Sequence, residues 1–285
     1  MKVAVTGATG FVGRHVTQAL LERGHEIVAL ARNREKAKKM PWFDEVTFID
    51  CDLQRDYQVI LAPAIKPEAL VHLAWSGLPH YNNFLHIREN LPADLAFLTA
   101  VVEAGVGQIL VTGTCLEYGL KHGPLAEDGE TSPTTPYGLA KDVLRKALQL
   151  LQAQTPFNLQ WVRLFYMYGE GQNPKSILAQ LDAAIAAGHS VFNMSAGNQL
   201  RDYLPIDAVA ETIAKLLEVP SCNGVINCCS GQPVSIYDLV TAHCIAKGSN
   251  IKLNRGYYPY PNYEPLAFWG QPTKLNELST FIRHR

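Results

Sequence analysis

Tyr137 and Lys141 stand four residues apart in Tyr137-Gly-Leu-Ala-Lys141, which puts both on one face of a helix. An ammonium beside a phenol favours the phenolate and brings a group of ordinary pKa ~10 toward working pH. Such a phenol can give a proton to, or take one from, a carbonyl or alcohol oxygen. Upstream lies Val111-Thr-Gly-Thr-Cys-Leu-Glu-Tyr-Gly119, a strand end carrying hydroxyls. Thr114 is placed to hydrogen-bond the same reacting oxygen. Thr114, Tyr137 and Lys141 are therefore the candidate catalytic residues, with Thr114 and Tyr137 also touching substrate.

A second set binds rather than reacts. In Thr6-Gly-Ala-Thr-Gly-Phe-Val-Gly13, Gly7, Gly10 and Gly13 follow an apolar strand and open a helix. Glycines there let the backbone approach a pyrophosphate, and the free N–H groups of the new helix attract the anion. Phe11 and Val12 share that turn. The spacing is Gly-x-x-Gly-x-x-Gly rather than the commoner Gly-x-Gly-x-x-Gly. The second strand ends Ile27-Val-Ala-Leu-Ala-Arg-Asn-Arg34. An NAD-binding unit carries an acidic residue near this point for the adenosine ribose. Ala31 stands there instead, and Arg32, Asn33 and Arg34 follow. Loss of the carboxylate and gain of guanidinium groups suits a 2′-phosphate, so the expected cofactor is NADP(H). The alternative is that Arg32, Arg34 and Lys36 only begin a solvated helix. Asp52 and Leu53 end the third strand, where they would meet adenine; a turn-forming Asp accounts for Asp52 as well.

These residues need a scaffold that aligns strand ends. Strand-like runs fall at 3–6, 27–31, 46–49, 70–73, 108–112 and 159–164. Helical runs separate them, notably 88–104 and 137–154. The strands are short, apolar and β-branched, as strands buried on both faces are. Their alternation with helices predicts an α/β fold: a Rossmann-type doubly wound parallel sheet. After residue 165 the pattern loosens into helices at 176–187, 206–218 and 236–246 with loops rich in Gly, Pro, Asn and Tyr. The reading is an NADP-binding domain over 1–165 and a smaller, partly intertwined C-terminal substrate-binding lobe over 166–285. Tyr257-Tyr-Pro-Tyr-Pro-Asn-Tyr263 is expected to be non-helical.

Composition excludes several classes. The 285 residues are 47% hydrophobic with a formal net charge of −1. That supports a sizeable core and no nucleic-acid partner. No apolar run approaches membrane-spanning length and no secretory signal is visible, so a cytoplasmic protein without membrane contact is expected. Cys51, Cys115, Cys222, Cys228, Cys229 and Cys244 form no Cys-x-x-Cys pair. They read as reduced thiols, with no metal site.

The chain resembles the extended short-chain dehydrogenases/reductases, in the group that modifies nucleotide sugars. The matching residues are Thr6 to Gly13, Asp52-Leu53, His72-Leu73-Ala74, Asn90, Thr112 to Gly119 and Tyr137 to Lys141. Arg163, Tyr168-Gly169, Arg201-Asp202-Tyr203 and Asp207 to Ala210 extend the match along most of the chain. The resemblance implies a Thr114–Tyr137–Lys141 active site, with Leu73, Ala74 and Lys141 at the cofactor. It also implies that Arg201 meets a sugar-nucleotide diphosphate with Tyr203 nearby; the bland alternative is an Arg201–Asp202 surface pair. Arg255 could supply a second phosphate contact. Two helices, 88–104 and 137–154, commonly pair with their copies in this group, so a homodimer is expected.

Departures narrow the activity. Family 4,6-dehydratases follow the catalytic Thr with Asp-Glu, where this chain has Cys115 and Leu116. Epimerase-reductases of the GDP-fucose type carry a catalytic Cys at the place of Leu116. Glu117 is odd between apolar neighbours, as either a buried partner of Lys141 or a substrate contact. Tyr166 stands where many epimerases have Asn, at the substrate, and Trp75 where a small residue is usual. The expectation is an NADPH-dependent reductase of a nucleoside-diphosphate 4-keto-6-deoxyhexose, dTDP-linked. A 4-epimerase is the alternative, followed by a reductase of a smaller carbonyl compound or a non-catalytic NADP-binding sensor or scaffold.

Overall fold

A computed structural model describes residues 1–62, 65–260 and 265–283, the last five by backbone alone. Seven parallel strands form the main sheet. In spatial order they are Gly224–Cys228, Asn158–Leu164, Gln108–Thr114, Ala69–His72, Lys2–Thr6, Glu26–Ala31 and Thr47–Asp50. Chain order reverses between Lys2–Thr6 and Ala69–His72. That is the doubly wound arrangement, with its crevice at the reversal. The α/β Rossmann-type expectation therefore holds.

Side chains alternate along each strand, so each face builds its own core. Val3, Val5, Ile27 and Ala29 pack with helices Phe11–Glu22 and Ile206–Glu218. Ala4, Val28, Leu30 and Leu70 pack with helices Leu91–Glu103 and Pro136–Gln154 on the other face. Leu98, Leu144 and Leu148 are fully buried in this second core. They serve their own sheet and are not available to a partner. Leu139, Val143 and Leu150 are the exposed large apolar residues of Pro136–Gln154.

The helix read at 88–104 begins differently. His86–Asn90 is a π turn that leads into Leu91–Glu103. Pro92 has no N–H to give the Arg88 carbonyl, and the backbone widens there. The wider turn buries the side chains of His86 and Asn90.

The later residues weave back. Gly224–Cys228 joins the main sheet beside Asn158–Leu164. Phe268–Gly270 pairs with Gly123–Leu125. A smaller core gathers Leu178, Leu181, Phe192, Met194, Ile236 and Val240. Residues 257–260 form no helix; residues 261–264 of the Tyr257–Trp269 stretch lie outside the described residues. The six cysteines are free thiols, and all but Cys222 are buried. No helix among the described residues is long and apolar enough to cross a membrane.

Candidate active site

The glycine turn is built for close approach. Gly7 has φ +67°, and a Cβ there would lie 2.8 Å from the Ala74 nitrogen. A Cβ at Gly13 would lie 2.1 Å from the Gly7 carbonyl oxygen. Only glycine fits either place. Helix Phe11–Glu22 starts at Gly10 with no side-chain cap, which leaves its first N–H groups for an anion. The cradle and the 73–74 loop are thus adjacent, at the reversal of strand order, and they fit a dinucleotide pyrophosphate.

A buried chain ties these parts together. Thr6 Oγ1 accepts from the Leu73 and Ala74 N–H groups at 3.2 and 3.3 Å. The same hydroxyl lies 2.9 Å from His72 Nδ1, and His72 Nε2 faces Asp94 Oδ2 at 3.3 Å. This set of partners fits a hydroxyl donating to Nδ1 and a proton on Nε2.

After the second strand, Arg32 is exposed and has no side-chain partner among the described residues. Asn33 accepts from the Lys36 N–H and caps the short helix Arg34–Ala37. Arg34 lies over the rings of Phe43 and Phe48, at 5.9 and 5.5 Å. Asp52 accepts from the Gln54 N–H, so it does form a turn. Its other oxygen lies 3.9 Å from Arg55 Nε. Leu53 beside it is half-buried.

Thr114 ends strand Gln108–Thr114, and Tyr137 and Lys141 lie in the first turns of Pro136–Gln154. That helix begins with a strong local signal. Thr135 accepts from the Gly138 N–H, and Pro136 opens the first turn. The two elements meet where Gly138 abuts the Leu116 carbonyl. Thr114 stands close enough to the Tyr137 phenol to influence its ionisation, and Tyr137 is 7% exposed. Thr114 and Tyr137 are therefore neighbours, and Lys141 lies one turn further along the helix of Tyr137.

The electrostatics depart from expectation. Burial pushes the Tyr137 phenol up, with Tyr81, Glu117 and Cys115 adding to it and Thr114 opposing. Burial also pushes Lys141 down from 10.5 to about 8, against the pull of Asp94 and Glu117. The Lys141 ammonium sits 3.9 Å from the centre of the Trp75 ring. Desolvation therefore outweighs the ammonium's effect on the phenol.

Glu117 is resolved. It is fully buried and accepts from the Thr114 N–H at 2.8 Å, from Trp161 Nε1 at 3.0 Å and from Arg163 Nε at 2.8 Å. Arg145 stands 3.6 Å away. Glu117 is neither a contact partner of Lys141 nor open to substrate. It holds the turn that carries Thr114. Tyr81, His86, Trp161 and Arg145 were missed from sequence, because the 75–90 segment has no periodic pattern and the others read as ordinary core or surface.

Arg201 is 2% exposed, so the surface-pair reading fails. Its Nη1 donates to the Leu200 and Leu266 carbonyls and its Nη2 to the Pro265 carbonyl. It lies 4.4 Å over Phe268 and 5.7 Å from the Tyr166 ring. Asp202 instead accepts from the Ser230 and Gly231 N–H groups. Tyr166 and Tyr203 pack ring on ring at 5.2 Å. Arg255 is not shown joining this group. It stacks on Tyr237 at 4.1 Å and donates to Ala196 and Asn198.

Residues 3–229 match the NAD dependent epimerase/dehydratase family. The chain belongs to that family. It is 30% identical over 272 residues to a dTDP-6-deoxy-L-talose 4-dehydrogenase (NAD(+)) of Aggregatibacter actinomycetemcomitans, covering 95% of this chain and 99% of the relative. It is 28% identical to a UDP-glucose 4-epimerase of Bacillus subtilis, covering 88% and 84% of the two chains. Among solved structures, a UDP-glucose-4-epimerase of Stenotrophomonas maltophila with bound NAD superposes with TM-score 0.86. It is 20% identical, with 98% and 92% of the chains covered. The likeness to that structure shows the fold.

Proposed function

We propose that the protein is an NADPH-dependent reductase of a nucleoside-diphosphate 4-keto-6-deoxyhexose, dTDP-linked. The carrying observation is that Thr114 stands beside the buried Tyr137 phenol, with Lys141 one turn further along the same helix. The Aggregatibacter relative is named for oxidation at C4 of a dTDP-6-deoxyhexose. Oxidation there and reduction of the 4-ketone are two directions of one equilibrium.

The residues divide by role. Gly7, Gly10, Phe11, Val12 and Gly13 hold the pyrophosphate. Arg32, with Asn33 and Arg34 beside it, faces the 2′-phosphate, and Asp52 and Leu53 face adenine. Leu73, Ala74 and Lys141 hold the nicotinamide half. When bound, the cofactor supplies the hydride for C4. Tyr137 donates its proton to the C4 oxygen, and Thr114 hydrogen-bonds that oxygen as charge develops on it. A phenol whose pKa is raised by burial starts protonated, which is the state a reduction needs. Lys141 then stabilises the phenolate left behind. Tyr166, Arg201 and Tyr203 bind the sugar diphosphate, with Arg255 as a further phosphate contact. Arg201 would exchange the carbonyls of 265–266 for phosphate oxygens. The working unit is a cytoplasmic homodimer paired through the Leu139–Val143–Leu150 stripe.

The name of the Aggregatibacter relative carries NAD(+). Ala31 and the exposed Arg32 are what support NADP here. A panel of 4-keto-6-deoxy sugar nucleotides, with NADPH and NADH oxidation followed in parallel, tests the reading. The second reading is a 4-epimerase, favoured by the 28% identity to the Bacillus enzyme. It predicts C4 inversion with no net consumption of reduced cofactor.

A further inference from the structure

Trp75 follows directly on the loop that Thr6 anchors through the Leu73 and Ala74 amides. Its indole N–H donates to His86 Nδ1 at 3.1 Å. His86 is fully buried, and its Nε2 lies 3.0 Å from the His80 carbonyl. A carbonyl only accepts, so the proton sits on Nε2 and leaves Nδ1 to accept from the indole. Burial pushes the His86 pKa down, which keeps that acceptor available. Asn90 Nδ2 adds a contact to the same nitrogen at 3.3 Å. The indole is thus fixed in plane and position. The Lys141 ammonium lies over its face at 3.9 Å, and its edge meets the Tyr137 ring at 5.8 Å.

An ammonium that is 1% exposed has lost its water. A negative ring face returns part of that stabilisation and fixes the charge in one place. The charged and titratable groups around Lys141 come from separate elements. Asp94 is on Leu91–Glu103, Glu117 on the turn after Thr114, His86 on the π turn, and Tyr137 on Lys141's own helix. Asp94 and Glu117 act on Lys141 through space, with no hydrogen bond to its ammonium among the described residues. Trp75 contacts the ammonium directly.

We propose that Trp75, locked by His86, is a positioning residue that keeps the Lys141 ammonium charged and placed one turn from Tyr137. This rests on the reading of Lys141 as catalytic. The tryptophan that departs from the family's small residue is then part of the proton machinery.

The experiment follows Lys141 directly. Enzyme with ¹³Cε-labelled lysine is titrated by NMR, with Lys141→Met to assign the signal and circular dichroism to confirm folding. Trp75→Leu removes the ring face, and Trp75→Phe keeps a face without the N–H. Trp75→Leu should move the Lys141 titration down by about 0.4–1.5 pH units, and Trp75→Phe by less. His86→Leu, which frees the indole, should move it the same way if Trp75→Leu does not fold. In turnover, the alkaline limb of kcat should shift with the titration while KM for the sugar nucleotide stays within about twofold. A titration moved by less than about 0.2 units, or moved upward, overturns the proposal. So does a large gain in dinucleotide affinity in Trp75→Leu with unchanged titration, since the indole would then only obstruct the cofactor. The NMR arm needs no turnover. A shifted titration in a protein inactive on the whole panel would sink the proposed function and leave the Trp75–Lys141 contact standing.

Discussion

Gly138 and Leu116 are in such close contact that a Cβ at 138 would lie 2.6 Å from the Leu116 carbonyl oxygen. This contact joins the helix of Tyr137 and Lys141 to the turn of Thr114. Gly138→Ala must push the two elements apart. Overpacking of this kind costs about 1–3 kcal/mol. The variant should show a lower melting temperature and a loss of kcat larger than its loss of dinucleotide affinity. Native kcat in Gly138→Ala would mean that the placing of Thr114 beside Tyr137 does not matter to turnover.

Tyr137→Phe removes a hydroxyl and little else. Dinucleotide binding, read by fluorescence titration, should persist while kcat falls by roughly 10²–10⁴. Near-native turnover would refute the role given to Tyr137.

Arg32→Ala tests cofactor choice. A charged hydrogen bond contributes roughly 1.5–3 kcal/mol, so NADPH affinity should fall about ten- to a hundredfold with NADH affinity little changed. Equal affinity of the native protein for both cofactors would remove the case for NADP and favour the epimerase reading.

Arg201→Ala should raise KM for the sugar nucleotide about tenfold or more, with a smaller change in kcat. Because Arg201 also ties down the 265–266 backbone, Arg201→Lys is the companion variant. It keeps the charge and loses the fork, and it should recover part of the affinity. An unchanged KM in Arg201→Ala would point to a smaller, non-nucleotide substrate.

Lys141 couples activity and stability to pH in opposite directions. Its folded pKa is about 8 against 10.5 for the free side chain. Between these values the unfolded chain binds more protons, so stability rises with pH there. The cost of burying the ammonium is complete below pH ~8 and is relieved toward pH ~10.5, by roughly 3 kcal/mol over the window. Activity needs the ammonium and should fall as pH passes ~8. Lys141→Met should be the more stable protein at neutral pH, with the gap closing as pH rises. Chemical denaturation of both proteins from pH 7 to 10 checks this. A gap that widens with pH would contradict the assignment.

The sheet was legible because its information is local. Strands such as Lys2–Thr6 and Gln108–Thr114 announce themselves by apolar, β-branched runs, and Gly7 and Gly13 by a turn that admits no Cβ. Thr135-Pro136 marks a helix start, and Tyr137 and Lys141 share a face by spacing alone. Tertiary structure decided everything that depends on which distant side chains meet. Glu117 could not be assigned from its neighbours, since Trp161 and Arg163 reach it from another strand. Arg201 and Asp202 are adjacent in sequence yet serve opposite surroundings. The Tyr137 phenol was expected to be lowered and is raised, because pKa follows burial, and burial belongs to the whole fold. Trp75 and His86 belong to a segment without a repeating pattern. Their fixed positions come from long-range contacts with Tyr137 and Lys141, and from the Thr6 bonds to the adjoining Leu73 and Ala74 amides, which no local period encodes.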